Sequence, residues 1–182
     1  MRVITGTAKG RRLETLDGLD TRPTVERVKE AVFSAICFDV EGRSVLDLFA
    51  GSGQMGIEAL SRGAKSCLFV DRNRQAIAII ERNLKNTNLT QNATVLCGDS
   101  LSVLSGQRGP FDLVFLDPPY AAELMLPALT LVSDKMAVGG IAVCETDRDT
   151  ILPDTVGALV LQRTYRYGRV VVRVYSRKES NL

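Results

Sequence analysis

Residues 44–53 read Ser44-Val45-Leu46-Asp47-Leu48-Phe49-Ala50-Gly51-Ser52-Gly53, an apolar, β-rich run closed by a glycine turn, and a helical stretch from Met55 to Arg62 follows at once. A buried strand that enters a helix through glycines opens a βαβ unit. The alternation continues outward. Ser66 to Asp71, Ala93 to Asp99, Phe111 to Asp117 and Gly140 to Glu145 are near-continuous apolar runs, as strands covered on both faces are. Between them Asn73 to Asn88 and Ala122 to Asp134 read as helices, the first with Ile77, Ile80 and Leu84 on one face. The pattern predicts an α/β fold, a mostly parallel sheet with helices on both faces.

Towards the C-terminus the character changes. Ala158 to Tyr167 and Arg169 to Arg177 are extended runs separated only at Gly168, which predicts an antiparallel hairpin. Val170, Val172 and Val174 form one face of the second run, and Arg169, Arg173 and Arg177 stand on the other. Such arginines either block edge pairing or meet nucleic acid. At the other end, Arg2 to Leu13 with Gly6 and Gly10 reads as a short hairpin. Pro23 then starts a helix whose apolar face is Val25, Val28, Val32 and Ile36.

With 182 residues and 45% apolar content, the chain fills one core, so residues 1–182 are expected as a single domain. Within it, 1–23 forms an N-terminal hairpin extension and 24–182 the core. No apolar run reaches the roughly twenty residues of a membrane span, and the first residues lack a secretory layout. A cytoplasmic protein is expected. The four cysteines are far apart and there is no histidine, which argues against a structural zinc and removes the commonest general base. Chemistry must therefore run on carboxylates, tyrosine, backbone groups or a cofactor, with no metal expected. Net charge is +2, but Arg2, Lys9, Arg11 and Arg12 crowd the first twelve residues with no acid among them. That end suits a polyanion.

The glycine loop is ambiguous by itself. Gly51-Ser52-Gly53-Gln54-Met55-Gly56 satisfies GxGxxG and Asp71 lies twenty residues after Gly51, as in a dinucleotide site. An NAD-dependent oxidoreductase is thus one reading. Asp47 weighs against it, because a carboxylate at the strand end repels a pyrophosphate but suits the ammonium and sulfonium of S-adenosylmethionine (SAM). Asp71 can take ribose hydroxyls and Asp99 an adenine amino group. Each aspartate alone could be a helix cap. Four at successive strand ends, Asp47, Asp71, Asp99 and Asp117, point to a shared rim.

The fourth strand runs directly into Asp117-Pro118-Pro119-Tyr120. Proline cannot donate to the ladder, so the strand stops and the two rings fix the turn. An amino group conjugated to a ring is a poor nucleophile. A carboxylate and a backbone carbonyl that accept its N–H bonds aim its lone pair at a methyl donor, while Tyr120 can stack on the ring. After transfer the nitrogen is cationic, and Asp117 can receive its proton.

These motifs, DLFAGSG, Asp71, Gly98-Asp99 and FLDPPY, resemble the class I SAM-dependent methyltransferases that act on exocyclic amino groups. That resemblance implies a Rossmann-like, seven-stranded sheet with an antiparallel last strand. At the N-terminus Arg2-Val3-Ile4-Thr5-Gly6, Lys9-Gly10-Arg11, Thr21-Arg22-Pro23-Thr24 and the run from Arg27 to Phe33 resemble bacterial 16S ribosomal RNA guanine-N2 methyltransferases of the guanine 966 type. The likeness covers nearly the whole chain. It implies SAM as donor, S-adenosylhomocysteine as product, and 16S rRNA in the 30S subunit or its assembly intermediates as partner, met by a monomer without a membrane. Carried over by motif, Asp47, Phe49, Ala50, Gly51, Ser52, Gly53, Asp71, Arg72, Asp99 and Ser100 would hold SAM. Asp117, Pro118, Pro119 and Tyr120 would hold the guanine, and Arg2, Lys9, Arg11, Arg12, Arg22 and Thr24 would meet RNA. Gln54-Met55 departs from the smaller residues expected there. Adenine-N6 methyltransferases of DNA or RNA share DPPY, and a non-enzymatic RNA-binding assembly factor could keep the fold, so both stay open alternatives.

Overall fold

A computed structural model of the chain describes residues 1–16, 23–119 and 121–178. Its frame is a sheet built from β1 (Ser44–Leu48), β2 (Ser66–Asp71), β3 (Ala93–Cys97), β4 (Phe111–Leu116), β5 (Met136–Asp147), β6 (Thr155–Val156), β7 (Leu159–Tyr167) and β8 (Val170–Arg177). The helices are α1 (Pro23–Ala35), α2 (Gln54–Ser61), α3 (Arg74–Thr87), α4 (Ser100–Gly106) and α5 (Ala121–Lys135). The strand order is β3-β2-β1-β4-β5-β8-β7-β6, with the first five strands parallel and β8, β7 and β6 antiparallel to their neighbours. The chain reverses its direction of progress between β1 and β4, and a ligand crevice opens at such a switch point, beyond the carboxyl ends of the strands.

Alternate residues of the central strands feed two separate cores. Val45, Cys67, Phe69, Leu113, Phe115 and Val143 face α1, α2 and α3, where they meet Val32, Phe33, Ile57 and Ile80. Leu46, Leu48, Val70, Val114, Leu116 and Cys144 face the other way, onto Leu104 of α4 and Met125, Leu129 and Val132 of α5. This two-sided burial is why the strands read as near-continuous apolar runs. Each fully buried Leu, Ile or Phe contributes about 1.5–3 kcal/mol.

Three elements differ from expectation. The sheet has eight strands, because the two-residue β6 adds a blunt edge beside β7. Strand β5 starts at Met136 and absorbs the glycine pair in a register shift opposite Phe111 and Leu113, with Gly139 at φ +75°. Helix α4 has no counterpart in the sequence reading; Asp99 caps it through a bond from the Ser102 amide. Among the described residues no helix is long and apolar enough to cross a membrane.

The N-terminal extension is a hairpin-shaped loop closed by one antiparallel bridge, Arg2 to Arg12, rather than by paired strands. What holds it is α2. The buried Glu58 carboxylate accepts the amides of Ile4 at 2.8 Å and Thr5 at 3.0 Å. Ser61 accepts the Ala8 amide and donates to the Thr5 carbonyl. Lys29, 2% exposed, donates to the Arg2 carbonyl at 2.7 Å and lies 3.5 Å from Glu58. Gly6 sits at φ +88° so close to α2 that a Cβ would stand 1.8 Å from the Ser61 carbonyl oxygen, which is why no side chain is tolerated there.

Candidate active site

The loop after β1 turns back on the sheet. Phe49 takes φ +70°, Gly51 +56° and Gly53 +76°; the first is costly for a residue with a Cβ. Phe49 and Ala50 both donate to the Val70 carbonyl, at 3.0 and 2.9 Å, and Gly53 donates to Ala50 at 2.7 Å. Asp71, the last residue of β2, then accepts the Gly51 amide at 2.8 Å on one oxygen and the Asn73 amide at 2.8 Å on the other. A single carboxylate so joins the two strand-end loops.

This construction borders a cavity of about 470 Å³ lined by Leu16, Phe49, Gly51, Asp71, Arg72, Asn73, Asp99, Ser100, Leu101, Asp117, Pro119 and Leu124. The size falls within the roughly 300–1,000 Å³ usual for small-molecule sites. Asp99 takes the Ser102 amide and hydroxyl on one oxygen, at 2.9 and 2.7 Å; these bonds hold its carboxyl below the usual range. Asn73 caps α3 by accepting from the Gln75 amide. Three of the four expected aspartates therefore meet at one wall, and two of them also serve the local roles any aspartate can play.

Asp47 does not line that cavity. Its side chain lies behind the loop, 4% exposed, and accepts the Gly56 amide at 2.9 Å. Burial raises its carboxyl to about 7 against the opposing effect of that bond, and Asp117 and Asp71 push it further up. Its place is a support under the start of α2. Ala50, Ser52 and Gly53 likewise shape the turn without lining the cavity, and Gln54 and Met55 lie in the first turn of α2. Asn83, 1% exposed on α3, braces the turn from outside. Its Nδ2 donates to the Ser52 and Glu14 carbonyls and its Oδ1 accepts the Glu14 amide.

At the end of β4 the Asp117 loop separates this cavity from a second one of about 290 Å³, lined by Asp117, Pro118, Pro119, Glu145, Thr146, Asp147, Arg169 and Val170. Asp117 and Pro119 belong to both walls. Asp117 is open at the cleft surface, yet the protein packed round its carboxyl raises it to about 6. Glu145, half-buried, is raised to about 8, first by burial and then by Asp117. Arg2, Lys9, Arg11 and Arg12 are all exposed on the extension. Tyr120 and Arg22 lie outside the described residues, as does the side chain of Thr24.

Sequence reasoning missed Asn73, Leu16, Leu101, Leu124 and Glu145. Glu145 carried a signal, since the β5 run ends in a carboxylate just as the β2 and β4 runs do. The three leucines carried none, because only the folded chain brings them together.

A family model described as Conserved hypothetical protein 95 matches residues 1–176. The chain belongs to the Conserved hypothetical protein 95 family. This Conserved hypothetical protein 95 member is 43% identical over 183 residues to "Putative rRNA methyltransferase YlbH" of Bacillus subtilis, covering 98% of this chain and 100% of that one. It is 32% identical over 180 residues to "Ribosomal RNA small subunit methyltransferase D" of Escherichia coli K12, covering 98% and 90%. A solved structure, "Putative methyltransferase yhhF from Escherichia coli", superposes with a TM-score of 0.87 at 31% identity, covering 98% of each chain. By family and by fold the chain is a methyltransferase.

Proposed function

We propose that this protein transfers the methyl group of SAM to the N2 amino group of a guanine in 16S rRNA, in the 30S subunit or an assembly intermediate, in the cytoplasm. The observation that carries the reading is the partition of the strand-end crevice into two cavities by Asp117 and Pro119, in a chain whose relatives are named as small-subunit rRNA methyltransferases. A donor on one side and an acceptor base on the other would meet at that wall.

The first cavity fits SAM. Asp71 and Asp99 each keep lone pairs beyond those used by the backbone, enough for ribose hydroxyls and an adenine amino group. Leu16, Phe49, Leu101 and Leu124 offer apolar surface to a purine. Gly51, Arg72 and Ser100 line the same wall, and Asp47, Ala50, Ser52 and Gly53 hold its loop. SAM supplies an electrophilic methyl group. Asp117 and the backbone carbonyls of Pro118 and Pro119 orient the amino nitrogen, and Asp117 receives its proton; Tyr120 would stack on the base.

The extension presents the RNA-facing charge. Arg2 and Arg12 are bridge partners, which sets two like charges directly opposite each other, an arrangement that repels until an anion fills it. Lys9 and Arg11, with Arg22 and Thr24 beyond, would extend that contact. Residues 1–182 form one folding unit in this reading, with 1–23 as its RNA-contacting edge and a monomer as the working form.

The test is to incubate the protein with radiolabelled SAM and 30S subunits lacking base methylation, then map the labelled nucleoside. Label on guanine N2 at one position is expected. Label on adenine N6, or on DNA only, would overturn the substrate while leaving the fold untouched.

A further inference from the structure

The cavity on the far side of Asp117 has a chemical pattern of its own. Leu116 of β4 pairs in parallel register with Cys144 of β5, so the next residues, Asp117 and Glu145, leave adjacent strands on the same face. Both line the 290 Å³ cavity. Among the described residues no donor reaches either carboxylate: Lys29, Arg43, Arg62 and Arg82 are the cations in ion pairs, and none of their partners is Asp117 or Glu145. Arg169 lines the cavity without pairing to either. Two neighbouring carboxylates with no protein donor call for donors from a ligand or from water.

Nucleobases with an exocyclic amino group differ in what stands beside it. Adenine N6 is flanked on the ring by N1, an acceptor, and cytosine N4 by N3, also an acceptor. Guanine N2 is flanked by N1–H. Only guanine sets two adjacent donors, amino and ring N–H, against two adjacent acceptors. We propose that this cavity receives the acceptor base by its Watson–Crick edge, with Asp117 accepting from the amino group and Glu145 from the ring N–H, so that Glu145 selects guanine. The inference rests on the methyl-transfer reading and deepens it. Enzymes that take a base out of its stack commonly read it along this edge. Burial raises both carboxyls, to about 6 for Asp117 and about 8 for Glu145, so the assigned acceptor role of Glu145 applies to the form that has lost its proton, above about pH 8. N–H donors from guanine favour the ionised pair, whereas a ring lone pair in that position would require Glu145 to keep its proton.

The experiment uses 30S particles reconstituted with 16S rRNA carrying either guanine or 2-aminopurine at the mapped position. 2-Aminopurine keeps the N2 amino group but has a lone pair at N1. Wild type, Glu145→Gln and Glu145→Ala are compared at pH 8.5 for kcat/KM on each particle, with SAM affinity as the control for an intact fold. The wild type should prefer guanine by more than about tenfold, the discrimination expected when a buried acceptor loses its donor. Glu145→Gln, whose amide can also donate, should narrow that preference by about tenfold, and Glu145→Ala should lower guanine kcat/KM by at least about tenfold, both with SAM affinity within about twofold. Equal use of the two bases by the wild type, or the same preference in all three proteins, would overturn the role of Glu145 while leaving guanine-N2 methylation in place. No transfer to guanine by the wild type would overturn both.

Discussion

Asn83 on α3 and Ser52 in the loop after β1 are joined by a 3.0 Å bond from side-chain amide to backbone carbonyl. The same side chain grips both backbone groups of Glu14, so the loop after β1 and the N-terminal extension share one clamp. Asn83→Ala removes all three bonds from a buried position. With each worth about 1 kcal/mol net, the variant should lose about 2–4 kcal/mol in urea unfolding and bind SAM more weakly. Unchanged SAM affinity would mean that the loop holds its shape without the clamp.

Asp47 makes stability depend on pH in a direction opposite to that of most carboxylates. Its folded-state carboxyl is raised from 3.8 to about 7 by burial, so the folded protein binds more protons than the unfolded chain between those values. The stabilisation is complete below about pH 4 and is lost as pH rises to about 7. Asp47→Asn keeps an acceptor for Gly56 and does not titrate. Unfolding free energies measured from pH 4 to 7.5 should therefore fall for the wild type relative to the variant, and parallel curves would show that Asp47 stays ionised.

Acceptance of N–H bonds requires Asp117 and Glu145 without their protons. With carboxyls near 6 and 8, kcat/KM on 30S particles should climb from pH 5.5 through pH 8 and level off only about one unit above that. Asp117→Ala should lower turnover by about 10²–10⁴-fold with SAM affinity nearly kept. Activity that declines over the same range would reverse the proposed protonation states.

The paired Arg2 and Arg12 predict a salt signature. If each meets one phosphate, replacing both by alanine should reduce the slope of log affinity against log salt by about 2. Titration of 30S particles at several salt concentrations reads this directly, and an unchanged slope would return both to ordinary solvated surface.

The central strands were legible because burial on both faces leaves no polar alternation to confuse β1, β2 or β4 with a loop. Helix α4 was not. Its sequence, Ser100-Leu101-Ser102-Val103-Leu104-Ser105-Gly106, is too short and too rich in serine and glycine to show a stripe, and only the Asp99 cap marks its start. The aspartates stand out as a group because each lies at or within a few residues of the end of an apolar run, but depth was invisible. Nothing in the sequence separates Asp71, whose oxygens face the loops, from Asp47, whose carboxylate turns inward to Gly56. The role given to Glu145 needs the register of β4 against β5, a contact between distant segments that no local pattern encodes.

Glu58, Ser61 and Lys29 bind the extension through its backbone, and Gly6 lies against α2 with no room for a Cβ. The N-terminal extension, the edge proposed to face RNA, is consequently not a detachable module. Deleting residues 1–13 would leave the Lys29–Glu58 pair in place but take the Ile4 and Thr5 amides from the buried glutamate and the Arg2 carbonyl from the buried lysine, a loss of about 1.5–3 kcal/mol for each bond to a charged group. A chimera meant to redirect the enzyme to another RNA must transplant α2 and the Lys29 turn of α1 together with the new edge, so specificity and scaffold in this fold would have to change as one piece.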